Sequence, residues 1–214
     1  GTGPFEKVTW NTSVVQVKKS ATAWRKAKVD TITFKFVPEV PARVQAFESN
    51  QVDLVFQLVA DMKAKIEAAN GVFQVTPGTA ISILHFFQNK ESPVADVRVR
   101  QALNYGVDMQ KYIDTVAGGT TQHTGQPGTP NITGYQRDIK PYPYDPAKAK
   151  KLLAEAGYGN GLKLIGESVT ASGDWKDIVQ FVSDDLRKVG VDLEFRVVTL
   201  PELIARVRDS SKFK

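Results

Sequence analysis

Apolar and polar residues alternate through "VVQVKK", so residues 6–19 predict a strand or hairpin. "TITFKF" sets Ile32, Phe34 and Phe36 on one face and Thr31, Thr33 and Lys35 on the other, the pattern of a half-buried strand. Pro38 and Pro41 close that strand and open a helix in which Val44 and Phe47 point inward. "QVDLVF" reads as a short strand, and "ADMKAKIEAAN" as a helix with Gly71 as its stop. "VFQV" and "ISILHFFQ" read as two more strands, divided by the turn "TPGT".

After Pro93 the period lengthens. Asp96 is placed to cap a helix with Val99, Ala102, Leu103 and Gly106 on its inner stripe, and Asp108 to cap another that ends at Gly118 and Gly119. The stretch 118–144, rich in Gly, Pro and Thr, is longer than an ordinary connection, and its Ile132, Tyr135, Ile139, Tyr142 and Tyr144 favour packing onto something. In "KPYPYDPAKAKKLLAEAGY", Asp145 is an N-cap, Pro146 fits the first helical position, and Ala149, Leu152, Leu153 and Ala156 form one stripe. Gly157 suits a left-handed stop. A strand "LKLIGESV" follows, then a helix from Asp174 with Trp175, Ile178, Val179, Val182 and Leu186 at helical spacing. The strand "VDLEFRVV" and a last helix "PELIARVR" complete the chain. Alternating strands and helices predict an α/β layer with parallel strand pairs.

Composition narrows the class. The 214 residues are 42% hydrophobic and 24% charged, with no cysteine, which excludes disulfides and thiolate metal sites. The net charge is +5, yet 28 basic residues are interspersed with 23 acidic ones, the pattern of a solvated surface; no nucleic-acid partner is expected. No apolar run is long enough to span a bilayer as a helix. His85 and His123 are the only histidines and sit in no metal or hydrolase motif; His85, within an apolar run, is expected half-buried. "GYGNG" precedes a strand where a dinucleotide fingerprint needs a helix. No catalytic residue, metal site or cofactor is expected.

"SPVADVRVRQALNYGVDMQKYID", with its proline, acidic cap and V-R-x-A helix, and "YPYDPAKAKKLLAEAGYGNG" resemble signatures of one family. "GTGPF", "ITFKFVPE", "RVQAFESNQVDLVF" and "LRKVGVDLEF" fit it in the same order. The chain resembles the extracellular solute-binding proteins of peptide and nickel ABC importers, the dipeptide- and oligopeptide-binding type. The resemblance implies an α/β, two-lobed periplasmic-binding-protein-like (type II) fold with mixed sheets flanked by helices. Members are longer, so both lobes are expected to be incomplete in an internal fragment. It implies 1–83 as part of lobe one, 84–88 as an inter-lobe crossing strand and 89–214 as part of lobe two.

The implied function is a non-enzymatic, periplasmic or cell-surface binder that takes a small-molecule or peptide solute into an interdomain cleft and delivers it to an ABC permease in the membrane. A ligand-sensing domain of a regulator or receptor is the alternative on the same fold. The expected ligand-binding residues are His85, Phe86, Phe87 and Gln88 on the crossing strand, Thr121, Gln122 and His123 in the Gly-rich loop, and Thr170, Ser172 and Trp175 after "LKLIGESV". The Thr, Gln and His side chains would orient the solute, and Phe86, Phe87 or Trp175 would give an apolar wall. Two departures bear on this: Gln88 stands where the family commonly has asparagine, and "TASGDW" lacks the arginine with which some members hold a peptide carboxylate. Exposed strand edges in a fragment also predict self-association.

Overall fold

The computed structural model describes residues 3–76, 78–87, 91–169 and 174–208, which divide into two compact units. One unit takes Gly1–Leu58 and Met62–Phe73, the other Val59–Asp61 and Gln74–Lys214.

The first unit is built on an antiparallel meander of β1 (Phe5–Trp10), β2 (Val14–Lys19) and β3 (Thr31–Lys35). The β1–β2 turn is set by Asn11, whose Oδ1 accepts from the amides of Ser13 at 2.9 Å and Val14 at 2.8 Å. A register shift between Lys7 and Thr9 leaves Val8 as a bulge. Trp10, Val15 and Phe34 then fall in one cross-strand row, with Val17 and Ile32 in the next row on the same face. Val15 is buried and Ile32 half-buried, but Phe34 and Phe36 are exposed, so the face is less covered than its alternation predicts.

Helix α1 (Val40–Glu48) buries Val44, and α2 (Lys63–Ala68) buries Ile66. Gly71 is not the left-handed stop of α2. Asn70 takes that role with φ 59°, a conformation its short polar side chain tolerates, while the Gly71 amide donates to the Ile66 carbonyl at 2.8 Å. Gly71 serves packing instead: a Cβ there would lie 2.6 Å from the Phe47 ring and 2.7 Å from Ile66 Cγ2. The strands expected at 51–56, 72–75 and 81–87 do not form; the described residues there are irregular. Alternation supplies only one half of a ladder, and these segments find no partner strand, which leaves Leu54, Phe56 and Val72 exposed.

The second unit has the larger core. Helix α3 (Val97–Tyr105) begins where Asp96 Oδ1 accepts from the Arg98 amide, and α4 (Met109–Thr115) where Asp108 accepts from the Lys111 amide. α5 (Pro146–Glu155) is capped by Asp145, with Pro146 in its first turn, and Gly157 follows at φ 92°. β4 (Leu162–Ser168) and β5 (Val191–Val197) pair in parallel, from Leu162 opposite Val191 to Ser168 opposite Val197. Parallel strands need a crossover, and α6 (Asp174–Lys188) provides it and packs on one face of the pair. Val99, Ala102, Ala149, Leu153, Leu186 and Val191 are the centre of this core. A last helix, α7 (Leu200–Arg208), follows β5.

Polar groups fasten the elements. The Arg98 guanidinium forks onto Asp96 and also donates to the Glu155 carbonyl at 2.7 Å, joining the start of α3 to the end of α5. At the other end, the Asp145 amide donates to the Tyr105 carbonyl at 2.9 Å, and Lys148 Nζ donates to the Tyr105 hydroxyl at 2.7 Å. Tyr142 meets Tyr105 edge-on at 5.0 Å, so the Pro-Tyr segment packs on the end of α3. Buried Asp185 of α6 accepts from the Asp108 amide at 2.8 Å and from Lys188 Nζ at 2.6 Å.

Candidate functional site

In open α/β sheets ligands gather outside the carboxyl ends of parallel strands, where the following helices present free amides. In the second unit that edge lies at Ser168 and Val197, tied by the Val198 amide donating to the Ser168 carbonyl at 2.9 Å. Both α6 and α7 begin there. Trp175, in the first turn of α6, is half-buried; its indole Nε1 is buried and has no acceptor. Glu167 pairs with Arg206 of α7 through Oε1, while its Oε2 is buried without a partner. Thr199 and Glu202 form a capping box at the start of α7. The Glu202 carboxylate accepts from the Thr199 amide and hydroxyl, both at 2.8 Å, and these bonds hold its pKa below the ordinary value.

The Gly-rich stretch is irregular but self-fastened. Gln126 brackets the backbone of Gln136, donating from Nε2 to its carbonyl at 2.6 Å and accepting its amide at Oε1 at 3.1 Å. Gly125 runs so close to the returning chain that a Cβ would lie 2.5 Å from the Lys140 carbonyl oxygen. His123 is half-buried at the start of this bracketed loop, and burial lowers its pKa, which favours the neutral imidazole with one donor and one acceptor. Thr121 and Gln122 are exposed beside it.

The remaining expected residues are spread. His85 is exposed, not half-buried, because the run around it forms no strand. Phe86 packs against the core of the second unit, and Phe87 is half-buried. Gln88, Thr170 and Ser172 lie outside the described residues. Among the described residues, Trp175 Nε1 has no partner in the 121–123 loop, and no group of three or more metal-ligating side chains occurs. The pairing of Glu167 with Arg206 and the Thr199 capping box were not anticipated. The T-x-x-E spacing was the available signal for the box; nothing local points from Glu167 to an arginine 39 positions on.

Residues 1–213 match the model of the bacterial extracellular solute-binding proteins, family 5 Middle. The chain belongs to this family. Among curated relatives, Heme-binding protein A of Haemophilus influenzae is 34% identical over 199 residues, which are 89% of this chain and 36% of that protein. Among solved structures, NikA from Brucella suis in complex with Fe(III)-EDTA is similar with a TM-score of 0.85 at 25% identity, over 100% of this chain and 46% of that one. The ABC transporter-associated periplasmic binding protein DppA from Helicobacter pylori, in complex with peptide STSA, gives a TM-score of 0.71 at 27% identity, over 96% of this chain and 40% of that one. The chain thus spans less than half the length of each of these proteins. Its fold is that of the type II periplasmic binding proteins, mixed α/β with sheets flanked by helices.

Proposed function

We propose that this chain is part of the substrate-binding component of an ABC importer. It captures a small solute, peptide-like or related, in a cleft between lobes and delivers it to a membrane permease. The observation that carries the reading is the family match over residues 1–213. The ligand-bound relatives point the same way: one holds a peptide and one a metal chelate. The role is binding without chemistry, outside the cytoplasmic membrane; the relatives are named as binding proteins, and the family as extracellular. Binding works by population shift, because a solute that touches both lobes only in the closed form favours that form by its differential affinity.

On this reading residues 1–83 belong to lobe one, 84–88 cross between lobes and 89–214 belong to lobe two. The solute meets His85, Phe86, Phe87 and Gln88, the 121–123 loop, and Thr170, Ser172 and Trp175. Trp175 supports this choice best, since its unsatisfied indole N–H is a donor available to a ligand acceptor at the carboxyl edge of the parallel pair. The test is titration of the whole binding component that contains this chain with the peptide STSA, Fe(III)-EDTA and heme, followed by calorimetry and tryptophan emission. At least one should bind unchanged, with no turnover product, and Trp175→Phe should weaken it about tenfold, worth ~1.4 kcal/mol. Absence of binding across the panel, or conversion of a ligand, would overturn the reading.

A further inference from the structure

The connection between β2 and β3, residues 20–30, is far longer than the roughly two to five residues of an ordinary hairpin loop. Its base is closed by the Lys19 amide donating to the Asp30 carbonyl at 2.7 Å and the Ser20 amide to the Pro4 carbonyl at 3.0 Å. Ala23 and Ala27 are half-buried, while Trp24, Arg25, Lys26, Lys28 and Val29 are exposed, Trp24 at 81%. Lys26 Nζ donates to the Ala21 carbonyl at 3.0 Å, which holds the loop in shape. The carboxylate at its end, Asp30, is engaged by Lys19 at 3.5 Å, whereas Arg25, Lys26 and Lys28 make no ion pair among the described residues. An indole is thus displayed among three uncompensated cations.

We propose that this loop docks on the anionic headgroup layer of a lipid bilayer. The cations supply charge complementarity, and the indole fits the boundary where an apolar ring and its N–H are both accommodated. An acidic protein surface would match the charge and leave the indole without an apolar layer. The proposal does not depend on the solute-binding reading, because no solute enters its test.

The test is co-sedimentation of the chain with phosphatidylcholine vesicles that contain or lack phosphatidylglycerol. Binding should require phosphatidylglycerol and weaken with added salt. It should fall by about 100-fold in the triple variant Arg25→Gln/Lys26→Gln/Lys28→Gln, from the loss of three surface charges. Brominated lipid should quench emission from the wild-type chain and quench less in Trp24→Ala; the exposed positions leave circular dichroism unchanged. Equal binding to pure phosphatidylcholine, undiminished binding by the triple variant, or binding to soluble polyglutamate but not to vesicles would overturn the proposal. So would protection of Trp24 from iodide in any longer protein that contains this chain.

Discussion

Leu153 is the sharpest test of the second unit's core. It is 2% exposed on α5, within the cluster that contains Val99, Ala102, Leu186 and Val191. Leu153→Ala removes three carbons from a buried apolar site, a transfer loss of about 2.4 kcal/mol at roughly 0.8 kcal/mol per methylene. A residual cavity of about 50 Å³ adds about 1.2 kcal/mol, for a total near 3.6 kcal/mol and a range of about 2–5 kcal/mol. Its neighbour Leu152 is only half-buried, so Leu152→Ala should cost less than half as much. Two compact units make global unfolding a poor readout. Urea unfolding is therefore followed by Trp175 emission in a Trp10→Phe/Trp24→Phe background, where Trp175 reports on its own unit alone. A loss below about 1 kcal/mol for Leu153→Ala, or equal losses at the two leucines, would refute the packing argument.

Asp185→Ala should destabilise the second unit by about 1–3 kcal/mol, because the Asp108 amide loses its acceptor; the same urea titration reads it. The Asp96 carboxyl is held down to about 2 by bonds first from the Arg98 guanidinium and then from the Arg98 amide. Its folded pKa lies below its unfolded value, so its contribution to stability is present above the ordinary carboxylate range and is lost as pH falls toward 2. A carboxyl NMR titration should place it there, and a midpoint near 3.8 would contradict the geometry. Gly71→Ala should destabilise the first unit by roughly 1–3 kcal/mol by driving a methyl into Phe47 and Ile66, read by Trp10 emission; a neutral result would show that these side chains can yield.

Local signals in the sequence were reliable where one residue type answers one local need. Asp96, Asp108 and Asp145 each cap the helix they precede, and the stripe from Ala149 to Ala156 faces the core. The strand–helix–strand order of β4, α6 and β5 gave a parallel pair. Prediction failed where structure depends on a distant partner. "QVDLVF", "VFQV" and "ISILHFFQ" alternate as strands do, yet find no ladder among the described residues. The sequence reads Gly71 as the stop of α2; Asn70 meets that need, and the absence of a side chain at Gly71 answers a contact from α1 that no local pattern shows. Of the candidate site, the segments could be named, and His123 and Trp175 do have half-buried, polar-tipped settings. Their surroundings could not, since Glu167 and Arg206 meet only through the fold.

The fastenings between α3 and α5 have a mechanical consequence. Arg98 pins the start of one helix to the end of the other, and Tyr105 pins the opposite ends through Asp145 and Lys148. A rod held at one point can pivot; two rods held at both ends can neither splay nor slide without breaking a clamp. The pair therefore behaves as a single stiff plate, whose amides should exchange hydrogen together, at one opening free energy. Any bending of this unit must be taken up elsewhere, in the bracketed loop or beyond the strand ends at Ser168 and Val197.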